Sequence, residues 1–339
     1  MVHAQVLHDP QGTVARLGAI AQESDREAAV VARLWAAHHL ENSGDPMGAI
    51  AQADQALTLV RDADGPWIAA MLHTMVGGLH SQLGNSEDAV RHARAALPVL
   101  DRLDAADDAA QTRALLAVHA MSVGRLDEAE KWLAEIERTR RRSSDVGGAS
   151  LAAARAEMAL ARGQVAEGLA LYRAAVDELK AIRFPGMGDA TGLEPWALFG
   201  ESLGVTVLAV HGTTPEDAAE GGDLYLALLA KALLVLDPQR PFMDYPVAGL
   251  VLHGLGAWGL LRESMPTETA VRLLVLAERF GYTRFAPTMR PERTEPVAEE
   301  RAPGLGPRLR TDYADRTAPS LLPEARAAIA QVPDYIFRE

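Results

Sequence analysis

The chain has 339 residues, of which 48% are hydrophobic and 23% are charged, and its formal net charge at pH 7 is −13. This acidity argues against direct nucleic-acid binding, because phosphate contacts require clustered Lys and Arg side chains. The chain contains no cysteine, which excludes disulfides and thiolate chemistry and agrees with a cytoplasmic location. Aromatic residues make up only 5%, and abundant alanine favours close-packed helices over a β-rich core.

Two kinds of membrane signal are missing from the sequence. The N-terminal residues show no basic stretch followed by an apolar one, which is the pattern of a signal peptide. The chain also has no run of about 18 apolar residues free of charge, the length that a membrane-spanning helix requires. We therefore expect a protein without membrane association.

Residues 1–183 are predicted to form regular antiparallel helix pairs. Four glycines recur at spacings of 40, 40 and 39 residues, each between two apolar runs of helical period. They are Gly44, Gly84, Gly124 and Gly163. Small residues lie seven positions before and five after each glycine, where two helices would approach closely: Ala37 and Ala49, Gly77 and Ala89, Ala117 and Ala129, Ala156 and Gly168. One pair cannot bury its apolar face alone, so an all-α, right-handed superhelix (α-solenoid) is predicted.

The second half of the chain is predicted to continue this array less regularly. Residues 184–195 form a Gly- and Pro-rich insert, and residues 196–280 are interpreted as diverged helix pairs of the same solenoid. Residues 281–339 are rich in proline and are interpreted as a capping segment; a partly disordered linker is the alternative. Short helices are predicted in this segment at 295–301, 305–314 and 320–331.

The spacing of small residue, glycine and alanine in the first four pairs resembles the tetratricopeptide repeat, although its period near 40 exceeds the 34 residues usual in that family. Several segments are also similar to the C-terminal domain of actinobacterial antibiotic-regulatory transcriptional regulators of the SARP and AfsR-like type. These segments are TVARLGAIAQESDREAAVVARLWAAHHLENSGD, GRLDEAEKWLAEIE, and LAERFGYTRFAPTMRPER followed by APG, YADR and LLPEARAAI. The likeness covers nearly the whole chain.

In that family the helical array follows a DNA-binding winged helix, a bacterial transcriptional activation domain (BTAD) and a nucleotide-switch ATPase (NB-ARC). This sequence contains no Gly-rich P-loop ending in Lys-Ser or Lys-Thr. It therefore corresponds either to an excised domain of a longer regulator or to a stand-alone relative. By analogy, the resemblance implies a sensing or autoinhibitory role in a regulator of secondary metabolism.

Candidate binding residues follow from the same resemblance. In tetratricopeptide arrays the first helix of each pair lines a concave groove, and here these helices carry several histidines at equivalent places. The candidates for groove binding are Trp35, His38, His39, Met71, His73, Met75, His80, Arg113 and His119. No HExxH motif or other tight metal-ligand spacing is present, so we predict neither a metal site nor a cofactor.

A match to GxGxxG occurs at Gly254, Gly256 and Gly259. A dinucleotide fingerprint requires a strand before it, a helix after it and a parallel sheet around it. The pattern predicts helices on both sides instead, so these glycines are interpreted as sites of close helix packing. A buried, helical segment at this place would exclude an enzyme that uses it as a loop.

Three hypotheses for function follow, and we expect the chain not to be an enzyme. It is either the ligand-sensing part of a transcriptional regulator, or a scaffold that binds a protein segment or forms a homodimer; an enzyme built on the 254–259 loop is the third hypothesis. A closed apolar pocket lined by residues such as Trp35, Met71, Met75 and Met121 would favour a small effector. An open channel lined by His, Arg and Asn would favour a peptide.

Overall fold

The structure, a computed structural model, describes residues 10–23, 25–139, 145–182, 191–240, 243–284 and 286–332. Within these ranges every regular element is helical, with sixteen α-helices, three 3₁₀ turns and no strand. The α-helices are α1 Pro10–Glu23, α2 Arg26–Asn42, α3 Pro46–Leu59, α4 Pro66–Gln82, α5 Ser86–Arg102, α6 Ala106–Ser122, α7 Leu126–Thr139, α8 Asp145–Ala161, α9 Val165–Ala181, α10 Pro195–His211, α11 Pro215–Val235, α12 Tyr245–Leu261, α13 Thr267–Phe280, α14 Glu295–Arg301, α15 Leu305–Asp312 and α16 Ala318–Ala330. The 3₁₀ turns are Asp62–Asp64, Pro287–Met289 and Pro291–Arg293.

The four recurring glycines adopt one backbone conformation. Their φ angles are +77°, +79°, +76° and +77° in chain order, a region that is costly for residues with a Cβ atom. In each turn the N–H of the following residue donates to the carbonyl oxygen five residues earlier, over 2.9, 2.8, 2.8 and 2.9 Å: Asp45 to Leu40, Asn85 to His80, Arg125 to Ala120 and Gln164 to Ala159. This bond closes the first helix of each pair and sets the direction of the second.

Small residues lie where the two helices of a pair meet, as predicted. Ala37, Ala49, Ala117 and Ala129 are fully buried. In the second pair, a Cβ on Gly77 would lie 3.3 Å from the carbonyl oxygen of Ala89. Successive helices pack on their neighbours along the chain, which agrees with an α-solenoid arrangement.

The later helices share one continuous core that is richer in Leu, Val and aromatic residues. The segment Gly254–Gly259 lies inside α12 and is buried along its whole length. A Cβ on Gly254 would lie 3.1 Å from the carbonyl oxygen of Ser202, and one on Gly256 would lie 3.0 Å from that of Ala270. These glycines therefore permit close helix packing, and the hypothesis of a strand–loop–helix fingerprint here is wrong.

The C-terminal helices return to the start of the array. A Cβ on Gly44 would lie 2.5 Å from Cβ of Ala318 and 3.1 Å from Cβ of Tyr245, and α12 also contacts α2. On the same side, Gly281 is left-handed with φ +76°, and a Cβ there would lie 3.7 Å from Cγ of Pro46. The array therefore closes on itself, because its first turn packs against the N-termini of α12 and α16.

The segment after α13 contains the three short helices predicted for it, at α14, α15 and α16. Their apolar side chains, among them Leu305, Leu309 and Leu321, belong to the continuous core of the later helices. None of the described helices combines the length and the apolar character needed to cross a membrane.

Candidate functional site

The helices of the array form a half-open cavity of about 370 Å³. We call it the central cavity. Its walls come from α4, α5, α6, α8, α9, α10 and the residue after Tyr282. The lining residues are Thr74, Gly77, Gly78, Ser81, Gln82, Ala93, Gln111, Thr112, Ala114, Leu115, Ala153, Leu179, Phe199 and Thr283. A volume of this size suits a small molecule.

Two buried polar atoms in this wall have no hydrogen-bond partner: Oγ1 of Thr74 and Oε1 of Gln82. The Gln82 side chain is oriented by its Nε2 atom, which donates to Oε1 of Glu41 over 2.5 Å. Buried polar groups are nearly always hydrogen-bonded. A donor would satisfy Gln82 Oε1, and either a donor or an acceptor would satisfy Thr74 Oγ1.

The rest of the wall is largely apolar and leaves room for a ligand. Leu115, Leu179 and Phe199 are half-buried around the cavity. On α4, a Cβ added to Gly78 would meet no atom within 4 Å, so the helix backbone itself forms part of the wall. The cavity thus combines an apolar surface with a few polar atoms, the usual composition of a small-molecule site.

Residues 282–284 and 286–294 follow α13 and contact helices of the earlier pairs, and we call them the crossing segment. Its turn Pro287–Met289 packs against α10 and α6. The backbone N–H of Thr288 donates to Oε1 of Glu157 in α8 over 3.3 Å. Farther along, the guanidinium of Arg290 donates to Oγ of Ser86 over 3.4 Å. These contacts bind the crossing segment to the second, third and fourth helix pairs.

Glu157, which accepts the hydrogen bond from Thr288, is buried. Its side chain also accepts a hydrogen bond from the hydroxyl of Tyr172, and burial raises the pKa of the carboxyl above its ordinary value. Thr288 contacts His211 as well, with 3.2 Å between its Oγ1 and the Nε2 atom of the imidazole. Burial lowers the pKa of His211 to about 4, so this imidazole is neutral at pH 7.

None of the nine residues predicted for groove binding is among the described residues that line the central cavity. On α2, Trp35 is 55% exposed and its ring centroid lies 6.1 Å from that of His38. Met71 is half-buried, and Met75 packs against the core of the first two pairs. Burial lowers the pKa of His38 and of His39.

Three other predicted histidines are divided between two places. The Nδ1 atoms of His73 and His92 are 3.0 Å apart, and the rings of His80 and His92 are 5.7 Å apart. Burial lowers the pKa of both His73 and His92, so one neutral imidazole donates to the other across α4 and α5. His119 lies elsewhere, with a half-buried ring whose pKa burial also lowers.

Arg113, the remaining predicted residue, belongs to an ion pair. Its side chain is 6% exposed and donates to Oδ1 of Asp101 over 2.6 Å. This pair joins α6 to the end of α5 and lies outside the central cavity. The structure therefore brings His73 and His80 together with His92, and it does not bring the nine residues into one site.

The residues that do form the site lie close to the predicted ones in sequence. Thr74 and Thr112 are each one position from a predicted residue, and one position turns a helical side chain by about 100°. For the contact with the crossing segment, the signal in the sequence is Glu157, an acid directly before the apolar run Met158-Ala-Leu-Ala161. A charged residue at a core position of a helix predicts a buried polar contact.

Within the described parts of the chain, no group of three or more His, Asp or Glu side chains is arranged to hold a metal ion. In the described ranges, the fold consists of sequentially packed helix pairs and contains a cavity of a size that suits a small molecule among its repeats. No protein-family model matches the chain, and neither does any curated protein.

Proposed function

We propose that this chain is a regulatory ligand-binding domain that holds a small effector in the central cavity. The observation that carries the proposal is the cavity of ≈ 370 Å³ with two buried polar atoms, Thr74 Oγ1 and Gln82 Oε1, that lack hydrogen-bond partners. The effector is a small molecule with an apolar body that packs against Phe199 and Leu115. It carries at least one hydrogen-bond donor, for Gln82.

A small effector is favoured over an extended peptide by two features of the concave side. The C-terminal helices contact the first turn at Gly44, and the crossing segment spans the groove through Thr288 and Arg290. An extended peptide needs an open channel along several helix pairs. With the groove bridged in this way, the remaining space suits a compact molecule.

We propose that the crossing segment changes position when a ligand binds in the central cavity. Thr283 lines the cavity, and five residues later Thr288 bonds to Glu157. The segment can be attached to α8, as here, or displaced from it. A ligand that contacts Thr283 shifts this equilibrium only if it binds more tightly to one of the two positions. We propose that the regulated output is transcription, on the basis of the resemblance of residues 276–293 and of the other quoted segments to antibiotic-regulatory activators.

The test is to fill the cavity from α4. Gly78→Leu places a side chain in the open space beside the helix, where a Cβ meets nothing within 4 Å. The matched control is Gly18→Leu, because a Cβ on Gly18 in α1 also meets nothing within 4 Å and Gly18 lies away from the cavity. Both proteins and the wild type are screened against one library of uncharged and polar small molecules by thermal shift and native mass spectrometry.

The proposal predicts compounds that bind the wild type and Gly18→Leu but not Gly78→Leu. If no compound distinguishes the two variants, the central cavity is not a ligand site and the proposal fails. Circular dichroism of both variants shows whether each keeps its helical content, which separates lost binding from lost folding.

A protein-binding scaffold is the second candidate, and one surface favours it. On α11, Leu226, Leu233 and Leu234 are 49%, 38% and 55% exposed, and their spacing places them on one side of the helix. Clustered exposed leucines are typical of protein contacts. Sedimentation velocity tests this candidate: a dimer that Leu226→Glu abolishes and Val123→Glu preserves would support it, since Val123 is 52% exposed at a different place. A monomer at every concentration would count against a homodimer.

A further inference from the structure

A second cavity lies on the other side of the crossing segment, and we call it the outer cavity. Its volume is ≈ 360 Å³. It lies between α13 and the C-terminal helices α14 and α15, with α12 beneath it. Its lining residues are His253, Val271, Leu274, Val275, Glu278, Tyr282, Pro291, Thr294, Glu295, Pro296, Ala298, Glu299, Gly306, Pro307 and Arg310. The two cavities share no lining residue, since Tyr282 faces one and Thr283 the other.

A buried imidazole lines this outer cavity. His253 is only 1% exposed, and its Nε2 atom has no hydrogen-bond partner. The ring is held in place by Tyr282, which stacks on it with 4.4 Å between ring centroids. Tyr282 is itself fixed, because its hydroxyl donates to the carbonyl oxygen of Met289 over 2.9 Å. A polar atom that is buried, immobile and unpartnered is unusual.

The imidazole is also uncharged. Burial, with a smaller contribution from the positive charge of Arg284, lowers the pKa of His253 to about 3. A neutral imidazole nitrogen either accepts or donates one hydrogen bond, depending on the tautomer. It can therefore bind a hydroxyl group in either tautomer.

Carboxylates outnumber cations at the mouth of the cavity. Arg310 forms two hydrogen bonds to Glu278, over 2.8 and 2.9 Å, and a third to Glu295 over 2.5 Å. Glu299 accepts from the backbone N–H of Gly304 over 3.1 Å. The Nε and Nη2 atoms of this guanidinium are thus engaged by carboxylates, and the excess of negative charge disfavours an anion.

We propose that the outer cavity is a second ligand site, which takes an uncharged small molecule with a compact aliphatic body and one hydroxyl group that bonds to Nε2 of His253. The aliphatic body packs against Val271, Leu274 and Val275. This site is separate from the proposed effector site, and neither proposal depends on the other.

The experiment uses cyclohexanol as the probe and the full chain labelled with ¹⁵N-histidine and ¹⁵N-amides. We expect a saturable shift of the His253 ring nitrogen resonance and of backbone amides in α13. His253→Phe keeps an aromatic ring against Tyr282 but removes the nitrogen. It is expected to weaken cyclohexanol binding, followed through the α13 amides, by about three- to tenfold, the usual effect of one lost hydrogen bond.

A second variant reduces the volume of the outer cavity and leaves His253 unchanged. Gly306→Leu adds a side chain to the cavity wall, where a Cβ would meet only the guanidinium of Arg310, at 3.7 Å. It is expected to weaken binding as well, whereas Gly18→Leu, the same substitution outside both cavities, leaves it unchanged. If His253→Phe does not fold, Gly306→Leu still decides the question.

A matched anion tests the charge argument. Cyclohexanecarboxylate has the same ring and is expected to bind at least about tenfold more weakly than cyclohexanol, because carboxylates surround the entrance. Three results would overturn the proposal: a His253 ring resonance that does not move with cyclohexanol, equal affinity in wild type and Gly306→Leu, or equal affinity for the alcohol and the carboxylate.

Discussion

The first helix pairs and the C-terminal helices are stabilised by different kinds of core. In α2–α8, buried alanines dominate and the core is divided into three separate clusters. From α10 onward, one continuous core of Leu, Val and aromatic residues extends back into the fourth pair through Leu169 and Tyr172. A divided core makes each pair depend on its neighbours. A continuous one lets the C-terminal helices act as a single unit that closes the array.

The polar groups differ in the same way. In the repeats, ionisable side chains form partly exposed ion pairs, such as Arg155 with Glu130 at 2.6 Å. The ionisable side chains that contact the crossing segment are more deeply buried: Glu157 and His253 are buried and His211 is half-buried. Buried polar groups require dedicated partners. The burial of these three side chains, and with it their shifted pKa values, therefore depends on the crossing segment staying in place.

The largest expected difference between the two regions concerns cooperativity. Leu255 in α12 and Leu133 in α7 are both fully buried. Leu255→Ala is expected to lower the free energy of unfolding by about 2–5 kcal/mol and to reduce amide protection throughout α10–α16. Leu133→Ala is expected to reduce protection mainly in α6–α8, because its core is a separate cluster. Hydrogen exchange measures both effects. Equal loss of amide protection in α12 in the two variants would contradict the difference between a divided and a continuous core.

Packing density in the continuous core gives the next largest effect. A Cβ on Gly221 would lie 2.1 Å from a ring carbon of Trp258, so Gly221→Ala is expected to cost about 1–3 kcal/mol of stability through overpacking. A Cβ on the adjacent Gly222 would lie 4.0 Å from the same ring. Gly222→Ala is therefore expected to stabilise the protein by about 0.5–1 kcal/mol, through helix propensity. Urea unfolding of the two variants measures the contrast, which disappears if the Trp258 ring moves aside freely.

The smallest effect is a pH dependence of opposite sign at a buried carboxyl group and at a partly exposed one. Burial raises the pKa of Glu157 above 4.5 in the folded chain, so its contribution to stability falls as pH rises from about 4.5 through that raised pKa. Glu157→Gln keeps an oxygen acceptor for Tyr172 and cannot ionise, so this fall is expected to vanish.

Glu130 is the matched control for this titration. Its hydrogen bond to Arg155 lowers the pKa of the carboxyl, so its contribution is present above pH 4.5 and is lost as pH falls through the lowered pKa. Glu130→Gln is expected to remove that acid-side loss. Unfolding free energies measured from pH 3 to pH 8 test both signs, and the same slope change in the two variants would contradict the assignment.

The repeat architecture could be predicted from the sequence because its determinants are local. The left-handed turns at Gly44 and Gly84 need glycine, and the small residues at Ala37 and Ala49 mark close helix approach. The closure of the array could not be predicted, because it depends on contacts such as Gly44 with Ala318 that are far apart in the chain. The short helices α14 and α15 were recognisable from their turn residues and apolar side chains, although their packing partners were not.

The site was harder to predict than the fold. The sequence predicts that the first helix of each pair supplies lining residues, and the central cavity does take Thr74, Gln111 and Ala153 from these helices. The choice of face was not determined by the sequence, because the helices of this array are apolar on more than one side. Phe199 and Thr283 enter the wall from the later helices and from the crossing segment, so only the three-dimensional closure identifies them.

The central claim is that the array closes on itself, with its first turn packed against the N-termini of α12 and α16. Gly44→Ala and Gly124→Ala test it most directly, because the two glycines have nearly the same φ, +77° and +76°. Each substitution costs about 1–2 kcal/mol in backbone strain. Only the new Cβ at residue 44 meets the C-terminal helices, 2.5 Å from Cβ of Ala318, whereas the one at residue 124 meets nothing within 4 Å.

The measurement is the difference in unfolding free energy between these two variants in urea. We predict that Gly44→Ala is the more destabilising by about 1–3 kcal/mol, and that adding Ala318→Gly to it removes most of the excess. Equal losses in the two variants, with no rescue by Ala318→Gly, would contradict closure and leave the concave side an open groove.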